Sequence, residues 1–218
     1  MFKPLRIDFV SDVSCPWCAV GLKSLQQAMA NVGDAASAEL HFQPFELNPQ
    51  MPPEGEDTNE HLAAKYGLDA DQLARNRDAL RERGADVGFV FNQRSRIYNT
   101  FDAHRLLHWA GELGFAQQMA LKEALLHAYF TDDLDVSSHE VLTRLVEQAG
   151  LDAARAREVL ASDDCADPVR AQQQLWRERG INSVPAIIID QQYLIQGGQP
   201  VEVFEQALRR ILAERASG

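Results

Sequence analysis

The residues best suited to chemistry are Cys15 and Cys18, which enclose Pro16 and Trp17 near the amino terminus. An apolar, β-rich run at 5–10 precedes them and a helical pattern follows, which predicts a strand-to-helix junction. Pro16 suits the first helical position, and the free N–H groups of a helix start favour a thiolate at Cys15. Cys18 lies one turn further along the same face, where its sulfur can reach Cys15 and resolve a mixed disulfide. We therefore predict a solvent-accessible nucleophile, Cys15, and a resolving thiol, Cys18, that points into the helix.

Two other interpretations compete with a redox pair: half of a metal site, or two small core residues that are close by chance. A closed zinc site needs four ligands. The remaining candidates are Cys165 and six scattered histidines, with no second CxxC pair. A chance core pair is disfavoured because two of only three cysteines flank Pro-Trp at a helix start. We expect a redox pair and no metal.

Composition and charge limit the possible partners. The 218 residues, 45% of them hydrophobic, suffice for one globular domain or for one domain with a large insertion. The net charge of −11, with basic residues interspersed among acids, argues against nucleic acid as a partner. No apolar run approaches the length of a membrane span. The opening residues MFKPLRIDFVSD are too charged for a secretory signal. We expect a cytoplasmic protein, where a structural disulfide framework is not expected.

The outer segments of the chain predict alternating strands and helices around the cysteine pair. These are a strand at 5–11, a helix at 19–32, a strand at 39–47, a helix from Pro168 to Gly180, strands at 186–189 and 193–195, and a helix at 201–212. Pro44 cannot donate to a ladder, so the second strand is expected at a sheet edge or to end there. Between these segments, residues from about 59 to 162 show a helical pattern. We predict an α/β domain formed by 1–50 and 167–218, with an all-helical insertion at 51–166.

Several motifs together resemble those of the DsbA family of thiol–disulfide oxidoreductases, most closely its FrnE-like cytoplasmic branch. They are CPWC at 15–18, AHRLLHWA at 103–110, LHAYF at 126–130, GINSVPAIIID at 180–190 and YLIQGGQ at 193–199. The resemblance covers essentially the whole chain. It implies a thioredoxin fold carrying a large inserted helical domain, with a redox-active CxxC centre.

The resemblance also implies roles for two residues far along the sequence. Pro185 resembles the cis-proline that faces the cysteine pair, and the backbone of Val184 would pair with an extended substrate. An ordinary trans proline that opens a strand is the alternative. The implied partners are protein or low-molecular-weight thiols and disulfides. No cofactor is expected, with glutathione as a candidate thiol substrate.

A few further residues have weaker signals. Asp12 is a candidate proton acceptor for Cys18, although a solvated loop carboxylate is the commoner outcome. Trp17 either contacts substrate or covers the helix end. His104 and His108 share a helix face but lack the glutamate of a zincin motif, so we interpret them as core or pocket-lining residues. Acidic neighbours are expected to raise the pKa of Cys165. The Gly197-Gly198 pair fits a turn better than a phosphate loop.

Three functional hypotheses follow from these observations. The first is a dithiol–disulfide oxidoreductase that uses Cys15 and Cys18. The second is a glutathione-dependent transferase or a 2-hydroxychromene-2-carboxylate-type isomerase, which share this architecture. In those enzymes glutathione supplies the thiol and a serine usually replaces the cysteine, so both cysteines argue against this hypothesis. The third is a redox-switched binding or chaperone-like protein. A monomer and a homodimer are both compatible with the sequence.

Overall fold

The apolar strand Leu5–Ser11 lies inside the main sheet of the computed structural model, which describes residues 4–33 and 37–217. Residues 1–3, 34–36 and 218 of the predicted α/β domain lie outside the described residues. The elements are β1 (Leu5–Ser11), α1 (Pro16–Val32), β2 (Ala38–Pro44), β3 (Glu56–Asp57), α2 (Thr58–Tyr66), α3 (Ala70–Asp86), β4 (Arg96–Ile97), α4 (Phe101–Leu113), α5 (Phe115–Phe130), α6 (His139–Gln148), α7 (Ala153–Ala161), α8 (Ala166–Glu178), β5 (Ala186–Ile189), β6 (Tyr193–Gln196) and α9 (Val201–Ser217). The predicted mixed α/β class is confirmed.

The main sheet has the strand order β2-β1-β5-β6. β1 runs parallel to β2, and it pairs antiparallel with β5, where Ile7 lies opposite Ile189. β5 and β6 form an antiparallel pair. β2 is an edge strand that ends at Pro44, before the predicted end at residue 47. The missing N–H of proline explains this end, because it cannot continue a ladder. The central strands bring the end of β1, and hence the cysteine pair, beside the start of β5.

Helices cover the sheet and join the two parts of the chain through one apolar core. α1 and α9 pack together, and Asn31 of α1 donates a hydrogen bond of 3.2 Å to Glu205 of α9. α4 and α5 pack against β2. One buried cluster includes Phe9 of the sheet, Leu25 of α1 and Leu125 of α5. The division into a thioredoxin-like domain and a helical insertion stays a prediction, since this core runs through both segments.

Residues 87–100 differ from the predicted helical block. This stretch is extended, and its short strand β4 pairs with β3. Phe89 and Phe91 are buried, whereas Val90 between them is 60% exposed. This alternation has the period of extended backbone. The two rings contact Phe130 of α5, with ring centroids 6.4 and 5.3 Å away. The packing of both rings on α5 therefore favours an extended backbone over a helix in this segment.

Gln118 joins the helical segment to the sheet edge. Its amide accepts a 2.8 Å hydrogen bond from the Phe42 N–H of β2 and donates to the carbonyls of Phe42 and Leu107, at 3.1 and 3.0 Å. All of these groups lie in a buried setting, where a lost partner is not replaced by water. The Gln118 side chain therefore fixes α4 and α5 against β2.

Replacing Gln118 by alanine should lower the free energy of unfolding by roughly 3 kcal/mol, because it leaves buried backbone groups unpaired. Denaturant unfolding monitored by circular dichroism measures this change. Gln117→Ala is the matched control: this neighbour on the same helix is exposed, so its change should stay within about 0.5 kcal/mol. Equal losses in the two variants would show that the bridge contributes nothing specific.

Candidate active site

Cys15 occupies the N-cap position of α1, and Pro16 is the first helical residue. Cys15 therefore stands beside the free N–H groups of the first turn, and its side chain makes no capping hydrogen bond with them. Its Sγ donates to the carbonyl oxygen of Val184 across a distance of 3.6 Å. The sequence predicted an accessible thiol, but Cys15 is only 4% exposed. The Val184 segment covers it, a contact between residues far apart in sequence.

Cys18 lies one turn further along α1 and is fully buried, as predicted. Burial raises the pKa of its thiol well above the usual value, and a hydrogen bond with Cys15 and the negative charge of a Cys15 thiolate raise it further. The positive charge of Lys122 acts in the opposite direction. All three cysteines of the chain are free thiols in this structure. The raised pKa therefore keeps the Cys18 thiol protonated at neutral pH.

The wall opposite the cysteine pair is formed by the segment before β5. The Val184–Pro185 peptide bond is cis. A methyl group added at Gly21 of α1 would lie 3.2 Å from the Pro185 ring, so the helix and the proline are in close contact. The structure thus brings Val184 and Pro185 to the cysteine pair, the arrangement that the sequence predicted.

The Gly197-Gly198 turn completes the same wall. Gly197 has a φ of 82°, which favours glycine. A methyl group on Gly198 would lie 2.8 Å from the carbonyl oxygen of Trp17, too close for a side chain. The two glycines therefore serve a turn, as predicted, and a close approach to α1 that the sequence did not indicate. The Trp17 residue itself is 43% exposed at the start of α1, next to the cysteines.

Asp12 is fully buried, so the expectation of a solvated loop carboxylate is wrong. Its carboxylate accepts hydrogen bonds from the Leu47 N–H at 2.7 Å and from the Ser14 hydroxyl at 3.0 Å. His104 of α4 approaches it to 3.4 Å. Burial alone would raise the pKa of Asp12, but His104, the Leu47 N–H and Thr100 outweigh it and lower the pKa to about 2. The remote Leu47 segment and α4 together exclude water from this loop.

Lys122 of α5 is a further buried polar residue, and the sequence analysis missed it. Its side chain is fully buried, and its Nζ finds no hydrogen-bond partner among residues 4–33 and 37–217. Burial lowers the pKa of Lys122, while negative charge on Cys18, Asp12 and Cys15 raises it. A signal existed in the sequence: positions 118, 121, 122 and 125 form one helix face, and three of those positions carry apolar or amide side chains.

A small cavity adjoins this lysine. It has a volume of ≈ 10 Å³ and is lined by Lys122, His104, His108, Phe42 and other residues of α4, α8 and β2. This is the space of about one water molecule. The two histidines therefore line a pocket, one of the two interpretations that the sequence left open for them.

Tyr66, the last residue of α2, also lies near the site and was missed. Burial raises the pKa of its phenol, and the negative charge of a Cys15 thiolate raises it further. The side chain is 56% exposed. A tyrosine just before a helix-ending glycine is an ordinary surface pattern, so no local signal distinguished it. α2 thereby contributes to the surface around Cys15.

Cys165 lies away from the pair, at the N-cap position of α8 with a φ of 63°. Burial raises the pKa of its thiol, and the charges of Glu112 and Asp164 raise it further. The predicted effect of acidic neighbours is confirmed, with burial as the larger cause. Across the part of the chain that the structure describes, no group of three or more acidic, histidine or cysteine side chains could hold a metal ion. Within the same part, no helix is both long and apolar enough to cross a membrane.

Known proteins provide an independent comparison with this geometry. A crystal structure from Streptomyces coelicolor, described as a probable DsbA oxidoreductase, has a TM-score of 0.89 and 36% sequence identity, covering 96% of this chain and 91% of that chain. The uncharacterized protein YwbO of Bacillus subtilis is 26% identical over 205 residues, which are 94% of this chain and 96% of YwbO. A 2-hydroxychromene-2-carboxylate isomerase has a TM-score of 0.70 at 17% identity, covering 97% of this chain and 98% of that chain, and so shares the fold alone.

The family description "DSBA-like thioredoxin domain" matches residues 6–209. This range includes the cysteine pair, the helical segment and the cis-proline segment. The predicted thioredoxin fold and the resemblance to DsbA-type proteins are confirmed. The chain belongs to the family of DSBA-like thioredoxin domains.

Proposed function

We propose that this protein is a dithiol–disulfide oxidoreductase in which Cys15 is the nucleophile and Cys18 the resolving thiol. The observation that carries the proposal is the placement of Cys15 at the N-cap of α1 with Cys18 buried one turn behind it. Such placement separates the two roles, because only the first sulfur lies at the wall where a substrate can arrive. Val184 and Pro185 form that wall, and the Val184 backbone is the proposed contact for an extended substrate.

The reaction conserves two electrons. The Cys15 thiolate attacks one sulfur of a substrate disulfide, a Cys15–substrate mixed disulfide forms, and the other substrate sulfur leaves as a thiolate. The Cys18 thiolate then attacks Cys15 Sγ, which forms the Cys15–Cys18 disulfide and releases the second substrate thiolate. Substrate is reduced and the pair is oxidised. The same steps in reverse oxidise a substrate dithiol, and the reduction potential of the pair relative to the partner sets the direction.

The proposal includes the partners and location expected from the sequence. Protein or low-molecular-weight thiols and disulfides, glutathione among them, are the proposed substrates, and the cytoplasm is the proposed compartment. The isomerase that shares the fold does not favour the second hypothesis, because a shared fold does not determine the chemistry of its site. A transferase or isomerase that takes its thiol from glutathione has no use for Cys18 behind the nucleophile.

The Cys18→Ala variant tests the proposal directly. With glutathione disulfide it should accumulate a stable mixed disulfide on Cys15, since no resolving thiol remains to release glutathione. Intact-protein mass spectrometry and peptide mapping measure the adduct and its site. The wild-type protein should instead end as the Cys15–Cys18 disulfide with no adduct. Glutathione found only on Cys165, or no adduct in Cys18→Ala, contradicts the assignment.

A further inference from the structure

Gly21 lies in the interior of α1, where glycine is one of the least favourable residues for a helix. Alanine would favour the helix more, because glycine loses more backbone freedom on folding. The residue is buried, and its backbone is helical, so no left-handed conformation requires a glycine here. The absence of a side chain at this position therefore needs a tertiary explanation.

The wall of the candidate active site supplies that explanation. A methyl group at Gly21 would lie 3.2 Å from Cγ of Pro185 and 3.3 Å from Cα of Gly198. Carbon atoms pack best at about 3.5–4.0 Å, so α1 and the wall would have to separate by a few tenths of an ångström. One of the two contacted atoms belongs to a proline ring and the other to the backbone. Neither can rotate away, so the separation falls on the elements themselves.

The Pro185 segment and the glycine turn form one wall because a hydrogen bond joins them. The Gly197 N–H donates to the Pro185 carbonyl oxygen at 2.8 Å. Gly198 in turn approaches the start of α1: a methyl group on it would lie 2.8 Å from the carbonyl oxygen of Trp17 and 3.5 Å from Cε3 of its ring. α1 and the wall therefore meet in close contact at two glycines, Gly21 and Gly198.

We propose that Gly21 is a positioning residue, which holds α1 against the Pro185 segment and so keeps Cys15 beside the carbonyl group of Val184. The inference rests on the proposed function, since it assigns a residue that orients the nucleophile of that reaction. Cys15 Sγ lies 3.6 Å from the Val184 oxygen, and a separation of α1 from the wall lengthens this distance. Gly21 follows Cys18 by three residues, so the two are neighbours on the helix surface. A close-packed interior transmits such a displacement.

This position of α1 matters more for a polypeptide substrate than for a small reagent. In the proposed reaction, a polypeptide disulfide reaches Cys15 while its backbone lies along the Val184 segment. The distance between these two residues therefore sets the geometry of attack. A small alkylating reagent needs only the thiolate. Since a misplacement of about 1 Å can slow a reaction by about 100-fold, a few tenths of an ångström should slow exchange with a polypeptide by about fivefold.

Two rates measured on Gly21→Ala, with Cys165→Ser in the parent and in every variant, test the proposal. The rate at which the reduced protein reduces insulin disulfides should fall by about fivefold. The rate of Cys15 alkylation by iodoacetamide, followed by peptide mass spectrometry, should not fall, because the thiol remains at the start of α1 and its cover is loosened. Circular dichroism should show a folded protein, because alanine favours the helix. Gly198→Ala should slow the reduction of insulin further, since its methyl group would meet the Trp17 carbonyl oxygen.

Ser24→Ala is the matched control, because Ser24 is buried one turn after Gly21 on the same helix. This change gives alanine without adding an atom, so both rates should stay within about twofold of the parent. Reduction of insulin by Gly21→Ala at the parent rate, an equal fall of both rates, or loss of the folded state would overturn the proposal. The parent protein alone tests the proposed function: failure to reduce insulin would refute that function, whatever the variants do.

Discussion

Replacing Cys15 by serine is expected to abolish thiol–disulfide exchange, lowering the rate by roughly 10³-fold or more. This corresponds to about 4 kcal/mol of lost transition-state stabilisation. A hydroxyl is a far weaker nucleophile than a thiolate toward disulfide sulfur, and Cys18 cannot replace it because that thiol is fully buried behind the first turn of α1. Reduction of insulin disulfides in the presence of a dithiol measures the loss.

The third cysteine supplies the matched control for that experiment. Cys165 is a half-buried thiol at the start of another helix, and burial with nearby acids raises its pKa. Cys165→Ser should therefore retain the activity of the parent protein within about twofold. Activity that survives in Cys15→Ser and disappears in Cys165→Ser would show that Cys165 is the reactive thiol, and this result would refute the assignment.

Replacing Asp12 by asparagine is expected to remove a pH-dependent part of the stability. The pKa of Asp12 is about 2 in the folded protein, below its ordinary value of 3.8. A lowered folded-state pKa stabilises the protein above the unfolded-state pKa, and this contribution disappears as the pH falls through the folded-state value. The difference of about two pH units corresponds to about 2 kcal/mol. It should be present near neutral pH and largely lost at about pH 2.

Urea unfolding of the parent protein and Asp12→Asn at both pH values measures this contribution. The stability difference between the two proteins should be about 2 kcal/mol larger near neutral pH than at about pH 2. Asp86→Asn is the control, since Asp86 is an exposed carboxylate at the end of α3, and its effect should be within about 0.5 kcal/mol at either pH. A pH-independent difference for Asp12→Asn would mean that the carboxylate charge does not contribute.

The two predictions concern different parts of one active site. Cys15, the proposed nucleophile, lies against the Val184 segment, while Asp12 holds the loop before α1 by accepting from the Leu47 N–H and pairing with His104. This anchoring links the cysteine loop to the segment after β2 and to α4.

Local sequence patterns were sufficient to place the cysteine pair at a helix start and to predict most of the elements. CPWC at the end of an apolar run predicts a helix start with two thiols one turn apart, because helix geometry relates residues three apart. The apolar run 186–189 and the helical patterns at 101–113 and 139–148 predict elements that the structure contains. Pro44 indicates a strand end because its backbone has no N–H to donate to the ladder.

Tertiary contacts decided the rest. The Val184 segment covers Cys15, and α4 with the Leu47 segment converts Asp12 from an expected solvated carboxylate into a buried anion. The extended stretch at 87–100 follows from its packing on α5, and Lys122 becomes a buried residue when α5 docks beside β2. Burial and pKa depend on which atoms approach from elsewhere in the chain, and sequence spacing carries no record of those approaches. The sequence alone thus determined which residues are the candidates for the chemistry, and the folded structure determined their exposure and charge.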